Sequence, residues 1–194
     1  MQTPELKIVA LQGSVRPGNN TAKALVAVAR AAAALPGVSL EIIDPTELDL
    51  QLPGLGITAD AEALQARVAE ADAVILATPE YHGSYSSTFK LMIDNLGFPS
   101  MLKNKPVALL GVAAGRIGAI KALEHVRSLA SHVGAIVLPG PVSIASVHKA
   151  FDDQGDLIDA GTAALIKQLV EGLVEYTRTH QCSLRPLENI ARTS

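Results

Sequence analysis

The sequence of 194 residues has no tryptophan, a single cysteine and only 3% aromatic residues. Because Cys182 is the one cysteine, an internal disulfide is excluded, which agrees with a reducing compartment. The net charge of −3 gives no electrostatic basis for binding nucleic acid or an anionic membrane. Apolar runs are soon interrupted, and none approaches the roughly 20 residues of a membrane span. The first residues lack the pattern of a signal peptide, so we expect a cytoplasmic protein.

Small apolar residues, in contrast, are abundant. Hydrophobic residues make up 48% of the chain and charged residues 18%, and alanine supplies much of the apolar fraction. Small side chains let backbones approach closely, which suits helices packed on a sheet. The length fits one domain. We therefore predict a single domain over residues 1–180, followed by a polar tail over residues 181–194.

Strand-like and helix-like patterns alternate about five times along the chain. The predicted strands are 8–11, 38–43, 73–77, 106–112 and 136–138, and the predicted helices are 21–34, 60–70, 86–96, 118–133 and 159–179. Pro79 is expected to stop the third strand. Nearly every strand has the composition of one buried on both faces. The pattern predicts an α/β fold: a flavodoxin-like, doubly wound parallel sheet of five strands in the order 2-1-3-4-5, with helices on both faces.

Ligands bind such sheets beyond the carboxyl ends of the strands, at the point where the strand order reverses. That rule selects the loops after the first, third and fourth strands, which are residues 13–21, 78–86 and 111–118. These loops hold a large share of the glycine, hydroxyl and amide residues. We expect the three loops to form one site.

The first of these loops has the parts of a phosphate cradle. A helix N-terminus follows it, and helix N-termini bind anions through their free N–H groups. Its candidate ligands are Ser14, Arg16, Asn19, Asn20 and Thr21. The alternative is an ordinary polar turn with a helix cap. The G-x-x-x-x-G-K-[ST] and G-x-G-x-x-G patterns are absent here, so a mononucleotide phosphate fits better than a P-loop or a Rossmann clamp.

The second and third loops suit a flat heterocycle. Consecutive amides around Gly83 could line the edge of a ring, and Tyr81 could cover one of its faces. His82 is interpreted as a solvated loop residue. Near the start of the predicted fourth helix, N–H groups could stabilise the negative charge of a reduced flavin. Arg116 either contacts a phosphate of cofactor or NAD(P)H or lies on the surface.

Three motifs, in order and sensibly spaced, resemble those of the NADPH-dependent FMN reductase family. They are Gly13-Ser14-Val15-Arg16; then Pro79-Glu80-Tyr81-His82-Gly83-Ser84, followed by Lys90 and Ile93-Asp94; and then Lys105-Pro106-Val107, followed by Gly115-Arg116 and Gly118. The resemblance runs from about the first strand to the last helix.

The resemblance implies FMN and NADPH or NADH as cofactors, with hydride passing through FMN to flavin, a quinone or a similar small acceptor. It also implies self-association into a dimer or tetramer. Ser14, Arg16, Asn20 and Thr21 would hold the phosphate, whereas Pro79, Glu80, Tyr81, His82, Gly83, Ala114 and Gly115 would border the ring. Asn19 departs from the pattern, because relatives commonly carry serine there.

Other functions fit the sequence less well. A flavodoxin-like FMN electron carrier without NAD(P)H oxidase activity is the alternative, but such carriers are usually strongly acidic and cover the flavin with aromatic residues. A response-regulator receiver needs an aspartate at the end of the third strand, where this chain has Ala77-Thr78-Pro79. Ser84 and Ser86 lack the G-x-S-x-G elbow of a hydrolase. His125 and His132 share a helix face without a third ligand, so we expect no metal site and assign no catalytic acid or base.

Overall fold

The computed structural model describes residues 5–180, and within them strands and helices alternate. The strands are β1 (Leu6–Gln12), β2 (Val38–Ile43), β3 (Ala73–Tyr81), β4 (Ser84–Tyr85), β5 (Pro106–Val112), β6 (Ile136–Val137) and β7 (Val142–Ile144). The helices are α1 (Asn20–Ala33), α2 (Ala59–Glu70), α3 (Ser87–Asp94), α4 (Ile120–His132) and α5 (Ala160–His180). Single 3₁₀ turns lie at Pro45–Glu47 and Val147–Lys149. The predicted tail, residues 181–194, lies outside the described residues.

The main sheet is parallel and follows the order β2-β1-β3-β5-β6. β7 also pairs in parallel with β5, through Leu110–Val142, beyond the point where β6 pairs through Pro106–Ile136. β6 and β7 therefore share the fifth position of the sheet. The predicted order 2-1-3-4-5 and the flavodoxin-like α/β class are confirmed, with β5 as the fourth parallel strand.

Two apolar layers place helices on both faces of the sheet. On one face α1 and α5 pack against strand residues such as Ile8 and Ala10. On the other face α2, α3 and α4 pack against alternate residues such as Val9 and Leu11. This alternation follows from the strand period of two, since β1 is buried on both sides. None of the helices within residues 5–180 has both the length and the apolar character needed to span a bilayer.

The third strand differs from its prediction, because it runs through Pro79 to Tyr81. The carbonyl of Ala77 accepts a hydrogen bond from the Gly13 amide on the β1 side of the strand. The backbone of Pro79, two residues after Ala77, points to the same side of the strand. At that level β1 has already ended at Gln12. The missing N–H of Pro79 breaks no ladder bond there. β3 therefore continues beside β5, as far as the Pro79–Val112 pair.

The structure also differs from the last predicted strand, 136–138, because two short strands occupy this part of the sheet. β6 covers Ile136–Val137, and the chain returns to β5 as β7 after the segment Pro139-Gly140-Pro141. Neither proline can donate to a ladder, and Gly140 adopts a φ of 75°. An edge position tolerates such an interruption, because within residues 5–180 one side of the strand has no neighbouring strand.

Candidate functional site

The loops after β1, β3 and β5 enclose a cleft of about 270 Å³ at the carboxyl ends of these strands. The structure thus brings together the three loops that the strand order selects. A fourth segment, the 3₁₀ turn after β7, contributes Val147 to the wall.

Gly13 lets the first loop approach β3 closely. Its amide donates to the carbonyl of Ala77 at 2.8 Å. A Cβ at this position would lie 2.7 Å from that oxygen and 2.9 Å from the Cβ of Phe89, so no larger residue fits without a shift. The hydroxyl of Ser86 donates to the Gly13 carbonyl at 2.5 Å. The first loop is therefore tied to β3 through the backbone and to the second loop through the Ser86 hydroxyl.

The first turn of α1 lies in the wall of the cleft. Asn19 Oδ1 accepts a hydrogen bond from the Ala22 amide at 2.8 Å, and Asn19 Nδ2 donates to the Arg16 carbonyl at 2.9 Å. Ser14 Oγ accepts from the Arg16 amide at 3.4 Å. These bonds fix the loop against the helix. The other first-turn amides have no partner within the helix and carry its partial positive charge.

Thr21 has a buried hydroxyl without a hydrogen-bond partner in the described part of the chain. The residue is 1% exposed and lines the cleft. An unpaired buried hydroxyl costs about 1–3 kcal/mol, so its presence here indicates a missing acceptor. An anion at the N-terminus of α1 would supply that acceptor. Arg16 is exposed in the same wall and adds a charge suited to phosphate oxygens.

β3 and β4 form a tight hairpin in the second loop. Glu80 pairs with Tyr85 and Tyr81 with Ser84, which leaves His82 and Gly83 as a two-residue turn. Both turn residues have positive φ, 51° and 73°, as a type I′ turn requires. Tyr81 is 40% exposed and lines the cleft, so its ring is available to a ligand.

The third loop is held by the segment around β7. The Ala113 amide donates to the Ile144 carbonyl at 2.9 Å, and the Ala113 carbonyl accepts from the Val147 amide at 3.0 Å. Beyond Ala113 the loop is exposed, and a Cβ on Gly115 would meet nothing within 4 Å. Ala114 and Gly115 thus present little side-chain bulk and open space next to the cleft.

Most of the residues predicted for the site meet in the cleft. Those that line it are Ser14, Arg16, Asn19, Asn20, Thr21, Pro79, Glu80, Tyr81 and Ala114. Four others do not line it. His82 and Gly83 form the hairpin turn, and Gly115 and Arg116 are exposed in the third loop.

The donor set fits the phosphate of FMN. The cleft offers a helix N-terminus, an arginine and a buried hydroxyl that lacks an acceptor. The adjoining hairpin and third loop offer an accessible tyrosine ring and small residues, as a flat ring system would need.

Comparison with known proteins decides the family. The model of the NADPH-dependent FMN reductase family matches residues 6–149, a span that includes all three loops. The chain belongs to the NADPH-dependent FMN reductase family. It is therefore an oxidoreductase that uses FMN and NAD(P)H, as its sequence motifs imply.

The relatives are similar to this chain along most of their length. It is 33% identical over 182 residues to an NAD(P)H-dependent FMN reductase of Pseudomonas aeruginosa, covering 90% of this chain and 96% of the relative. It is 33% identical over 168 residues to a quinone reductase of Escherichia coli K12, covering 81% and 88%. A solved flavoenzyme NAD(P)H:(acceptor) oxidoreductase from Paracoccus denitrificans has the same fold, with a TM-score of 0.78 at 24% identity over 90% of this chain and 98% of that one.

Part of the cleft wall was not predicted from the sequence. Val147 was not predicted, because β7 was not recognised after Pro141. The alternation Val142-Ser143-Ile144, buried at its two apolar positions, was the signal that could have revealed it. Pro17, Gly18, Val112 and Ala113 also line the cleft, within or beside the loops already selected.

The two histidines of α4 do not form part of a metal cluster within the described chain. Among residues 5–180, no three His, Cys, Asp or Glu side chains are grouped as a metal ion would require. Instead, His125 Nδ1 lies 2.9 Å from the hydroxyl of Ser84 on β4. This contact joins α4 to the hairpin of the second loop.

Proposed function

We propose that the cleft binds the phosphate of FMN and that this chain passes hydride from NAD(P)H to a quinone, a flavin or a similar small acceptor. The observation that carries the proposal is the unpaired Thr21 hydroxyl at the N-terminus of α1. It lies in a wall that also contains Arg16. A phosphate would satisfy both groups and the free amides of the helix.

Each loop then has a defined task. Ser14, Arg16, Asn20 and Thr21 hold the phosphate, while Asn19 acts mainly as the cap of α1. Tyr81 and the hairpin backbone border the ring on one side, and Ala114 and Gly115 border it on the other. When bound, FMN supplies the hydride-transfer chemistry, and the protein supplies placement and local charge. The chain's own residues therefore act by orientation rather than as acid or base.

The class of acceptor is inferred from the relatives and from the open surface beside the cleft. Relatives carry the names quinone reductase and NADPH azoreductase. The third loop leaves space around Gly115, and Tyr81 gives a face on which a planar acceptor could stack. We propose planar, small-molecule acceptors that enter from this side after NAD(P)H has left.

An apolar patch supports self-association. Leu52, Leu55, Ile57 and Phe98 are 63%, 70%, 71% and 103% exposed. Phe98 and Pro53 also line a groove of about 930 Å³ along α3 and α4. Large apolar side chains exposed at or near such a groove are typical of interaction sites. We propose that a second copy of the chain covers this patch.

We also propose that the protein acts in the cytoplasm, where its single cysteine stays reduced.

Light scattering with size exclusion tests the assembly. Phe98→Asp should shift the protein toward a smaller mass, because a charge cannot be buried unpaired. Leu165→Asp is the matched control on α5, where Leu165 is 50% exposed and lies outside the patch. Unchanged mass for both variants would exclude the patch as the interface.

Oxidation of NADPH and NADH by the FMN-loaded protein tests the reaction. We expect absorbance at 340 nm to fall when a benzoquinone is supplied, with parallel lines in double-reciprocal plots because the two substrates use one site in turn. The competing hypothesis, an FMN electron carrier, predicts FMN binding without oxidation of either nucleotide.

A further inference from the structure

α4 begins without a capping side chain of its own. Its N-cap residue is Ala119, which makes no side-chain hydrogen bond. Two side chains from other parts of the chain serve instead. Ser143 Oγ accepts from the Ala119 amide at 2.8 Å, and Glu80 Oε2 accepts from the Ala122 amide at 3.0 Å. The start of α4 is therefore fixed by β7 and by the hairpin.

Glu80 lies where the second loop can act on the third. Its backbone pairs with Tyr85 in the hairpin, next to Tyr81. Its carboxylate reaches the first turn of α4, the helix that directly follows the third loop. One turn later, His125 contacts Ser84 of the same hairpin. The hairpin and α4 are thus joined at two successive turns of the helix.

We propose that Glu80 is a positioning residue: its carboxylate caps α4 from the second loop and thereby fixes the distance between the two loops that border the flavin ring. This inference rests on the proposed function for its consequence, which is FMN affinity. The contact itself is a property of the protein without cofactor.

Two conservative variants separate the hydrogen bond from the charge. Glu80→Gln keeps the side-chain length and an acceptor oxygen but removes the charge. Glu80→Asp keeps the charge but is shorter by one methylene, so its carboxylate no longer reaches the Ala122 amide. If the bond positions the loops, Gln should substitute for Glu and Asp should not. If the negative charge positions the loops instead, Asp should substitute for Glu and Gln should not.

Hydrogen exchange of the Ala122 amide, followed by NMR on the protein without FMN, measures the cap directly. We expect exchange to be faster in Glu80→Asp and close to wild type in Glu80→Gln. Flavin fluorescence then measures FMN affinity, which should fall about tenfold for Asp and less than twofold for Gln. Glu124→Gln is the control, since Glu124 is exposed on the same helix; it should match wild type in both measurements.

Three results would overturn the proposal: wild-type affinity in the Asp variant, a Gln variant as weak as Asp, or weakened binding without faster exchange at Ala122. A failure of the proposed function would give a different experimental result. If the wild-type protein itself does not bind FMN, the functional proposal fails, while the exchange rates of the two variants still decide whether Glu80 caps α4.

Discussion

At the α1 end of the cleft, the bonds that cap the helix join residues close in sequence, whereas at the α4 end they join residues far apart. Asn19 bonds to Arg16 and Ala22, each three residues away. Glu80 bonds to Ala122 across 42 residues, and Ser143 bonds to Ala119 across 24. The helix cap at the α1 end is thus a local structure, whereas the cap at the α4 end, where the ring is proposed to lie, depends on the tertiary fold.

The two ends of the cleft suit different tasks in the proposed reaction, in which NAD(P)H reduces FMN and an acceptor then oxidises it. In the proposed function, the N-terminus of α1 gives the cofactor one fixed attachment through its phosphate. The ring end is open, with Tyr81 exposed and small residues in the third loop, so different planar molecules can approach it. Tight attachment at one end and an adaptable surface at the other suit an enzyme whose two substrates bind in turn.

The largest effect is expected where the α1 end meets the sheet. Gly13→Ala should destabilise the protein by about 3 kcal/mol, because the new Cβ meets the Ala77 carbonyl and Phe89 in a packed interior. Chemical denaturation measures the change. Gly172→Ala is the control: its Cβ would meet nothing within 4 Å on α5, so helix propensity should raise stability slightly. Equal stability of Gly13→Ala and wild type would contradict the close approach.

Arg16→Ala should weaken FMN binding about tenfold to a hundredfold, since it removes a charge-assisted bond to phosphate. Flavin fluorescence titration gives the affinity. Arg30→Ala is the matched control, because Arg30 lies on the last turn of α1 and pairs with Asp156. If the two variants bind FMN equally well, Arg16 has no part in the phosphate site.

Thr21→Val should affect stability and FMN binding in different directions. Removing an unpaired hydroxyl should leave the protein without FMN equally or more stable, while FMN affinity falls about fivefold to tenfold. Thr177→Val is the opposite case: its hydroxyl donates to the Leu173 carbonyl at 2.7 Å, so stability should fall and affinity should not. Loss of stability in Thr21→Val would show that its hydroxyl already has a partner.

The smallest effect concerns the start of α5, far from both ends of the cleft. The side chain of Thr162, and then its backbone amide, donate to the Asp159 carboxylate and lower its pKa below the ordinary 3.8. A lowered pKa in the folded state means that the stabilisation is full above about pH 4 and is lost as the pH falls through the folded value. Thermal melts of wild type and Asp159→Asn should therefore differ near neutral pH and converge in acid. A constant difference from pH 7 to pH 2 would contradict this.

The sequence predicted the fold and the loops of the site because those depend on local signals. Apolar runs such as residues 8–11 and 106–112 mark strands, and the strand order then selects the loops. Pro79 was misjudged because a proline stops a strand only where its N–H is needed, and that depends on where β1 ends. β7 was missed because two prolines separate it from β6.

The remote capping of α4 had no signal in the sequence. Nothing near Ala119 indicates which residue accepts hydrogen bonds from the first amides of α4. Glu80 lies in a motif that was expected to border the ring chiefly through its backbone. His82 is similar: its positive φ reflects the hairpin that Ser84 and Tyr85 complete. Such features depend on residues that only the folded chain brings together.

Titration of the purified protein with FMN, followed by flavin fluorescence, measures directly whether the cleft binds the cofactor. A phosphate site at the N-terminus of α1 predicts saturable quenching with micromolar or tighter affinity, and competition by inorganic phosphate but not by chloride at equal ionic strength. No quenching up to high micromolar FMN would exclude an FMN site in this cleft, and the unpaired Thr21 hydroxyl would then need another explanation.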